Sequence, residues 1–405
     1  MRENFMLQRV FFCLICKHSK GQVAEWLCRG LQILVCRFDS DPGLQNSIMI
    51  DSLTLTDFRN HMASRIDVRD AKNIIIIGEN GAGKTAILEA LSMLSGDRGM
   101  RGADMSDIAR FGGNGGFSVF GEITTGDCLA VYFTPGDNNR RAKINDENAP
   151  LADLGKLLRI VWISPREDRL FVDATADRRA FFDRLASNFD PAHIGRSARF
   201  SKLLSERAAA LKNGADKYWM DALDDQLAGV AIAVAAGRVQ YAGNVNFFLS
   251  SCRVSVDGML EKMIIDGVPA AAAEREYRNY LSQNRELVGD KMVLDGPHKS
   301  DFGMFNNELN LPVKLTSTGQ QKKALFDLIL AHTDLLHNKT KQDSIVLLDE
   351  AAAHLDAGTR AKIFKKLNDT HTQVWATGLD KNAFIDVPGA VFVACKNGEI
   401  SSIIR

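Results

Sequence analysis

The stretch from residue 78 to residue 85 carries the most specific chemical signal in the chain. It reads Gly-Glu-Asn-Gly-Ala-Gly-Lys-Thr and fits the pattern GxxxxGK[ST] in full. The glycines let the backbone curl so that its N–H groups face phosphate oxygens. The lysine offers a positive charge to the β- and γ-phosphates and is not expected to have a role in the core, and the threonine hydroxyl is a ligand for Mg²⁺. We therefore predict a site for ATP and Mg²⁺ built from Gly78, Glu79, Asn80, Gly81, Ala82, Gly83, Lys84 and Thr85.

Two neighbouring acids follow an apolar run, Ile345–Leu348, in the second half of the chain. Such a run predicts a buried strand, so both carboxylates are expected at the end of that strand. We predict that Asp349 holds Mg²⁺ through its water shell and that Glu350 is the catalytic base that polarises the attacking water. The plainer alternative is that both acids only solvate a strand end. The presence of a phosphate loop in the same chain favours catalysis.

A third candidate element is the stretch Thr-Ser-Thr-Gly-Gln-Gln-Lys at residues 316–322. A hydroxyl, a glycine and an amide at a helix N-terminus can cradle a phosphate, although an ordinary N-cap by Ser317 or Thr318 gives the same pattern. Its place before the acidic strand is the layout of ABC-type ATPases, in which this motif binds the γ-phosphate of ATP held by the other subunit. Asp356 then belongs to a loop at the dimer interface, or is a simple N-cap. The predicted trans signature is Ser317, Thr318, Gly319 and Gln320.

The elements around these motifs are those of a phosphate-loop domain. An apolar run at 73–77 predicts a strand before the loop, and helical spacing follows at 85–94. Long helical patterns occupy the middle of the chain at 177–188, 192–211 and 216–249. Strand patterns return after them, and the last two, at 390–395 and 399–404, predict a closing hairpin. The predicted fold class is α/β, a P-loop ABC-type ATPase domain split in sequence by an inserted helical domain. We predict the first part of the ATPase domain at 49–176, the inserted helical domain at 177–289 and the second part of the ATPase domain at 290–405.

Composition and patterning narrow the possible functions. The 50 basic and 50 acidic residues balance to a net charge of zero, so any DNA contact must come from a local patch. No apolar run has the length of a membrane span, and we expect a soluble cytoplasmic protein without a membrane partner. Heptads are not sustained, which argues against the coiled-coil arms of a chromosome-structuring or break-repair ATPase.

Residues 1–48 differ in pattern from the rest of the chain. They lack clear periodicity, and Met49 then opens a strand-like alternation. Our hypothesis is that they are a non-native N-terminal extension and that the native protein starts at Met49. A genuine accessory extension is the alternative. Cys13, Cys16 and His18 suggest zinc, but the spacing to the next cysteines fits no regular site, so incidental cysteines are the preferred interpretation.

The three motifs, and much of the sequence between them, resemble the RecF family of bacterial ATPases, in particular its α-proteobacterial branch. Leu53–His61 resembles the first strand of that family, and Asp177–Asp183 resembles its Arg-Arg-x-Phe-Leu-Asp block. Gly296–Phe302 resembles its Gly-Pro-His-Arg-x-Asp block. The order of residues in Ser164–Asp168 departs from the Pro-Glu-Asp of the family, so the water-positioning acid of this loop is not assigned and Asp168 is a second candidate after Glu350.

The resemblance implies a mechanism and partners. ATP binds two protomers face to face, the homodimer clamps DNA at junctions of single-stranded and duplex DNA, and weak, DNA-stimulated ATP hydrolysis releases it. RecR-like and RecO-like partners and the loading of RecA are implied in the same way, in DNA replication, DNA repair and the SOS response to DNA damage. Arg59, which lies in the first-strand segment, becomes a candidate residue close to the nucleotide.

Other functions remain open at this stage: a transporter ATPase subunit, a nuclease-linked ATPase with an added acidic domain, or another SMC- or ABC-like ATPase without a RecA-loading role. The helical insert is too long for a transporter subunit, and Thr377 stands where transporter-type proteins place a switch histidine. His371 precedes that strand and is interpreted as a loop residue.

For each basic candidate for DNA contact, a salt bridge or a solvated face is the preferred interpretation. These candidates are Arg98, Arg101, Arg110, Arg140, Arg141, Lys143, Arg178 and Arg179.

Overall fold

The structure is a computed structural model that describes residues 48–285, 294–350 and 357–404. The predicted extension at 1–48, apart from Ile48, and the predicted interface residue Asp356 lie outside the described residues. The described chain forms two units. The smaller holds the described residues of the segments 196–239 and 257–300, and the larger holds the described residues before, between and after these two segments.

Fifteen strands and ten α-helices occupy the described residues. The strands are β1 (Ile50–Phe58), β2 (His61–Asp67), β3 (Asn73–Ile77), β4 (Phe117–Ile123), β5 (Cys128–Phe133), β6 (Arg141–Ile144), β7 (Glu147–Ala149), β8 (Arg159–Ile163), β9 (Cys252–Asp257), β10 (Asp301–Asn306), β11 (Leu311–Pro312), β12 (Ser344–Leu348), β13 (Thr372–Gly378), β14 (Ala390–Lys396) and β15 (Glu399–Ile404). The helices are α1 (Lys84–Met93), α2 (Met105–Ile108), α3 (Leu151–Leu157), α4 (Thr175–Phe189), α5 (His193–Lys212), α6 (Lys217–Asn246), α7 (Met259–Ile265), α8 (Ala270–Gln283), α9 (Thr318–Thr340) and α10 (Ala357–Asp369).

The first sheet of the larger unit is parallel except at one edge. Its order is β15-β14-β3-β13-β12-β8, and β14 with β15 is the antiparallel pair. Strands β3 and β12 are buried almost throughout, as their apolar runs predict. The register sets Leu348 beside Ile163 and Ala376. The carboxyl ends of β3, β12 and β13 therefore meet at one edge, where the glycine loop and the two acids begin.

The second sheet of the larger unit is antiparallel, with the order β2-β1-β4-β5-β6-β7. Burial alternates strictly along β4, the pattern of a strand with one covered face. Helix α1 contacts β1 and β4 of this sheet and β13 of the first. Its side chains Ile87, Leu88 and Leu91 are fully buried in a core that also contains Leu53 and Trp375. The helix that follows the glycine loop is thus held by both sheets.

A small third sheet has the order β11-β10-β9. Strand β9 lies in a part of the chain where the sequence pattern predicted only helices, so that expectation was wrong there. Its residues, Cys-Arg-Val-Ser-Val-Asp, alternate over a short length, and β10 supplies the hydrogen bonds that make it a strand. Buried Leu328 and Ile329 of α9 share a core with Phe302 of β10 and Val346 of β12.

The smaller unit is helical in its main part. Its core includes buried residues from four helices, among them Phe200, Leu227, Leu260 and Tyr277. Two buried ion pairs lie within it. Arg207 Nε is 2.6 Å from Asp224 Oδ1, and Arg238 Nη1 is 3.3 Å from Glu261 Oε1.

Most of the predicted elements are confirmed. The long helical stretches predicted at 177–188, 192–211 and 216–249 form as α4, α5 and α6, with ends shifted by up to three residues. The predicted closing hairpin is the pair β14–β15, and Asn397 and Gly398 at its turn have positive φ. The domain boundaries predicted at 176/177 and 289/290 stay predictions, and the second falls outside the described residues. In the described part of the chain, no helix combines the length and the apolar character needed to cross a membrane.

Candidate nucleotide site

The loop between β3 and α1 has the backbone that its glycines predict. Gly78, Gly81 and Gly83 have φ of 156°, 80° and 112°. A side chain is disfavoured at such angles, whereas glycine adopts them without strain. A Cβ at Gly78 would lie 2.2 Å from the carbonyl oxygen of Cys395, so this position has no room for any other residue. The loop therefore presents its backbone at close range to whatever occupies its concave side.

Contacts from two other segments hold the loop in place. The Ala82 carbonyl accepts a hydrogen bond from Gly398 N at 2.8 Å and one from Cys395 Sγ at 3.1 Å. His61 Nε2 lies 3.1 Å from the carbonyl oxygen of Gly83. Sequence reasoning missed these supporting residues. Their partners lie far away in the chain, so no local pattern marked them.

Lys84 lies inside the loop. Its side chain is only 6% exposed, and its Nζ donates hydrogen bonds to the carbonyl oxygens of Gly78 at 2.7 Å and Glu79 at 2.8 Å. Glu79 and Asn80 are exposed at the loop tip. The ammonium group is thus already directed at the concave side of the loop by backbone acceptors. It can exchange those neutral carbonyls for phosphate oxygens, which are stronger partners because they carry charge.

The acids after β12 meet the start of α1. Asp349 Oδ1 accepts hydrogen bonds from Thr85 Oγ1 and from Thr377 Oγ1, both at 3.0 Å. Burial raises the pKa of Asp349, and the bonds from Thr377 and Thr85 act in the opposite direction. A hydroxyl and a carboxylate oxygen side by side are the ligands that Mg²⁺ accepts in nucleotide sites. The residues present therefore fit this ion.

Glu350 turns away from the strand with a left-handed backbone. Its φ is 54°, and its N–H donates to Thr377 Oγ1 at 2.8 Å. A non-glycine residue in this region stores about 1–3 kcal/mol of strain and needs support from its surroundings. Thr377 gives that support, because its hydroxyl contacts both Asp349 and Glu350.

A cavity of about 520 Å³ opens at the loop. This volume is in the range of small-molecule sites. The two predicted sets of residues, the phosphate loop and the acid at the end of β12, come together in its wall. The lining includes Asn80, Gly81, Gly83, Lys84, Thr85 and Glu350, together with Arg59, Arg101 and Phe111.

Arg59 lies at this cavity, but its charge is already matched. Its Nε and Nη2 donate to the two carboxylate oxygens of Glu89 at 2.8 and 2.7 Å, and its Nη1 donates to the carbonyl oxygen of Asp107 at 2.7 Å. Glu89 is fully buried on α1. Arg59 thus connects the turn after β1 to the helix that carries the phosphate loop. A direct role toward nucleotide stays a prediction.

The predicted trans signature lies at the start of α9. Ser317 is the N-cap, and Ser317 and Gln320 form a reciprocal capping box, with Gln320 N 3.4 Å from Ser317 Oγ and Ser317 N 3.2 Å from Gln320 Oε1. Ser317, Thr318, Gly319 and Gln320 are all exposed. The described residues that line the cavity do not include these four. Within one protomer, the signature motif is therefore an exposed helix start outside the cavity wall.

The loop after β8 uses its acids for structure. Glu167 Oε2 accepts hydrogen bonds from Ser164 N at 2.8 Å and from Ser164 Oγ at 2.6 Å. Asp168 Oδ2 lies 2.9 Å from Lys322 Nζ on α9. Of the candidate acids in the described residues, Glu350 lines the cavity and Asp168 does not. This arrangement favours Glu350 as the group that meets the attacking water.

Two of the distinctive sequence blocks meet in space. Arg178 donates to both carboxylate oxygens of Asp301, at 2.8 and 2.9 Å, and the rings of Phe182 and Phe302 stack with centroids 4.4 Å apart. The first residue of each pair comes from the Arg-Arg block and the second from the Gly-Pro-His block. A bidentate arginine–carboxylate pair beside a ring stack is a packing device. For Arg178, the preferred interpretation of a salt bridge is therefore confirmed.

Other basic candidates for DNA contact are also engaged. The ion pairs are Arg110 with Asp57 at 2.6 Å and Arg141 with Asp137 at 2.7 Å. Arg98 and Arg101 are exposed, and Arg101 lines the cavity. Ion pairing therefore accounts for Arg110 and Arg141, and Arg141 remains at the surface with 61% of its side chain exposed.

The fold and this site define a class of protein, the ABC-type ATPase head. The family model described as RecF/RecN/SMC N terminal domain matches residues 49–402. Two solved structures share the fold, described as the recombination mediator protein RecF-ATPrS and RecF-ATP in the RecFOR pathway. The first has a TM-score of 0.76 at 21% identity and covers 87% of this chain and 97% of that one. The second has a TM-score of 0.75 at 20% identity and covers 88% of this chain and 99% of that one.

Curated relatives narrow the class to one family. The DNA replication and repair protein RecF of Rhizobium leguminosarum bv. trifolii is 36% identical over 360 residues, 84% of this chain and 95% of that protein. The protein of the same name from Rhizobium meliloti is 35% identical over 381 residues, 88% of this chain and 100% of that protein. The chain belongs to the RecF family of DNA replication and repair proteins. The predicted resemblance to the α-proteobacterial branch is confirmed.

Proposed function

We propose that the protein binds ATP with Mg²⁺, hydrolyses it weakly under stimulation by DNA, and uses the ATP-bound homodimer to hold junctions of single-stranded and duplex DNA. The observation that carries this proposal is the junction of Thr85, Asp349 and Glu350 beside the phosphate loop. Family membership supports the nucleic-acid part, since its curated relatives are named DNA replication and repair proteins.

The chemistry follows from the residues that line the cavity and from Asp349, which is hydrogen-bonded to Thr85. Lys84 and the loop N–H groups bind the β- and γ-phosphates, and Thr85 with Asp349 orients Mg²⁺, which neutralises charge on those phosphates when it is bound. Glu350 accepts a proton from the attacking water. A positioned general base of this kind contributes about 10²–10⁴-fold to a rate.

The second subunit enters through the signature motif. Ser317, Thr318, Gly319 and Gln320 are exposed at a helix N-terminus, and these hydroxyls, the backbone N–H groups and the partial positive charge of the helix suit an anion. We propose that they contact the γ-phosphate of ATP held by the other protomer, with Asp356 in the interface loop. ATP would then join the two protomers, and hydrolysis would release them.

The partners follow from the family. The RecF structures that share this fold are described as parts of the RecFOR pathway. We propose RecO-like and RecR-like proteins as partners and RecA loading as the outcome, in replication, repair and the SOS response.

A gel-shift assay tests the proposal. A gapped duplex is incubated with the protein with and without ATP, beside a fully paired duplex of the same length. We expect an ATP-dependent shift that is stronger on the gapped DNA and absent with Lys84→Ala. Equal shifts in every condition would contradict the proposal. ATP-dependent DNA binding that never accelerates RecA filament formation with RecO- and RecR-like proteins present would favour an SMC- or ABC-like ATPase without a loading role.

A further inference from the structure

Two histidines and an aspartate gather at the edge of the first sheet opposite the phosphate loop. His337 lies in the last turn of α9, Asp343 directly precedes β12, and His371 directly precedes β13. Lys341 has a left-handed backbone, with φ of 57°, and reverses the chain after α9. Ser344 N then donates to the carbonyl oxygen of His371 at 3.0 Å, which fixes the starts of β12 and β13 side by side. Three different elements therefore bring these side chains to one point.

The donor atoms of the three side chains lie close together. The Nδ1 atoms of His337 and His371 each lie 3.5 Å from Asp343 Oδ1. The two imidazole rings stack with centroids 3.6 Å apart and an interplanar angle of 4°. One ligand atom from each residue lies within 4.8 Å of the other two. Within the described residues, this is the group of histidine, cysteine and acidic side chains whose donor atoms converge closely enough to share one ion.

The surroundings of these atoms also point to a ligand. Nδ1 of His337 is buried and lacks a hydrogen-bond partner of good geometry within the described residues. A buried polar atom without a partner costs about 1–3 kcal/mol unless something fills the place. Two imidazolium rings in parallel contact would repel each other, so the stack disfavours a second positive charge. The Nδ1 lone pairs lie in the ring planes, so one ring must turn out of the stack for both nitrogens to bind one ion.

We propose that His337, Asp343 and His371 form a binding site for Zn²⁺. Two imidazole nitrogens and one carboxylate oxygen are a common donor set for this ion, and water completes its tetrahedral shell. His371 is half exposed, at 50%, whereas the Asp343 side chain is 9% exposed. The ion thus has a route from solvent and an anchor in the interior.

The effect of the ion would be on stability. The three ligands belong to the end of α9 and the starts of β12 and β13, so a bound ion ties one helix to two strands. Strand β12 is five residues long and separates Asp343 from Asp349. At about 3.3 Å per residue the two sites lie roughly 17–20 Å apart, too far for the ion to touch the nucleotide. The inference is therefore independent of the proposed ATPase mechanism.

Zinc titration of the full chain against a chromogenic chelator tests the proposal. We expect wild type to bind zinc at one or more sites. The zinc affinity of one site should fall about 10- to 100-fold or more in His371→Ala and in Asp343→Asn, because each substitution removes a ligand. Asp369→Asn is the matched control. It removes an exposed carboxylate two positions from His371 that is outside the ligand set. Zinc should also raise the Tm of wild type and of Asp369→Asn, and not that of His371→Ala.

A separate experiment addresses the cysteines near the start of the chain, since Cys13 and Cys16 could also bind zinc. The Cys13→Ser/Cys16→Ser variant should keep the site that His371→Ala loses. Co²⁺ bound at that site should lack a thiolate-to-metal charge-transfer band, because its donors are nitrogen and oxygen. Unchanged zinc affinity and thermal shift in His371→Ala, or a thiolate band at the site, would overturn the assignment. So would wild-type protein that binds no zinc.

Discussion

At the scale of single residues, the Lys84 side chain is held in position by the backbone of its own loop. Its ammonium contacts two backbone carbonyls of the loop, and those contacts keep it at the concave side where phosphates are expected. The sequence suggested that this lysine has no role in packing. The structure instead buries it, so its removal affects stability as well as binding.

Lys84→Ala is expected to weaken ATP binding by about 10- to 100-fold or more, because a charge-assisted hydrogen bond contributes about 1.5–3 kcal/mol. Two carbonyls also lose a partner, so the free energy of unfolding should fall by about 1–2 kcal/mol. Titration with a fluorescent ATP analogue and a denaturant curve measure the two effects. Lys72→Ala, an exposed lysine outside the loop, is the control and should change neither quantity. Undiminished ATP affinity in Lys84→Ala would remove the central proposal.

Glu350→Gln is expected to bind ATP normally and to hydrolyse it about 10²–10⁴-fold more slowly, because an amide does not accept the proton of the attacking water. The variant should also accumulate as an ATP-dependent dimer on DNA. Single-turnover hydrolysis and size-exclusion chromatography give the two readouts. Asp168→Asn is the comparison, since Asp168 is paired with Lys322. A rate near wild type in Glu350→Gln, with a loss in Asp168→Asn, would move the role to Asp168.

At the scale of elements, the phosphate loop depends on the closing hairpin β14–β15. Gly398 in its turn donates to the Ala82 carbonyl at 2.8 Å. It also packs so closely on the turn after β1 that a Cβ would lie 2.1 Å from the carbonyl oxygen of Asn60. The hairpin, the turn after β1 and the loop therefore support one another, although they come from the two ends of the split domain.

Gly398→Ala is expected to lower stability by about 2 kcal/mol or more and to weaken ATP binding, because the backbone of Asn60 or of the hairpin must shift. Gly389→Ala is the matched control. Gly389 also has positive φ, 60°, but a Cβ there meets no described atom within 4 Å. The control should cost about 1 kcal/mol from backbone strain and leave ATP affinity unchanged. Equal effects of the two substitutions on affinity would mean that the hairpin does not support the loop.

At the scale of the whole molecule, we propose that the nucleotide site is complete only in a dimer. Lys84 lines the cavity, whereas Ser317 is exposed at the start of α9 and does not. If ATP joins them across two protomers, each site takes one motif from each chain. A two-fold dimer then has two equivalent shared sites.

Mixing two inactive variants tests this arrangement. Lys84→Ala and Ser317→Arg should each be inactive alone, because both sites of either homodimer are broken. In a heterodimer both changes fall in one site and the other is intact. With random exchange of subunits and independent sites, ATPase activity should return to about a quarter of wild type. No recovery, with heterodimers shown to form, would mean that both sites are required or that the site is not shared. Full activity of Ser317→Arg alone would reduce the motif to a helix cap.

Short-range patterns in the sequence determined most of the fold and part of the site. The glycine loop, the apolar strands β3 and β12 and the helices α4, α5 and α6 were predictable because their signals lie within a few neighbouring residues. Glycine spacing limits the loop backbone directly, and an apolar run must be buried wherever it lies. The same signals located Lys84 and Asp349 without any knowledge of their distance in space.

Only the tertiary structure decided which of these residues meet. Thr85 and Asp349 are 264 positions apart and share a hydrogen bond, and Arg178 reaches Asp301 across 123 positions. Strand β9 forms because β10 pairs with it, and His371, read from the sequence as a loop residue, lies against His337. The physical reason is the same in each case. Sheet pairing and side-chain contact depend on how distant segments pack, and a local sequence pattern does not identify the distant segment that it contacts.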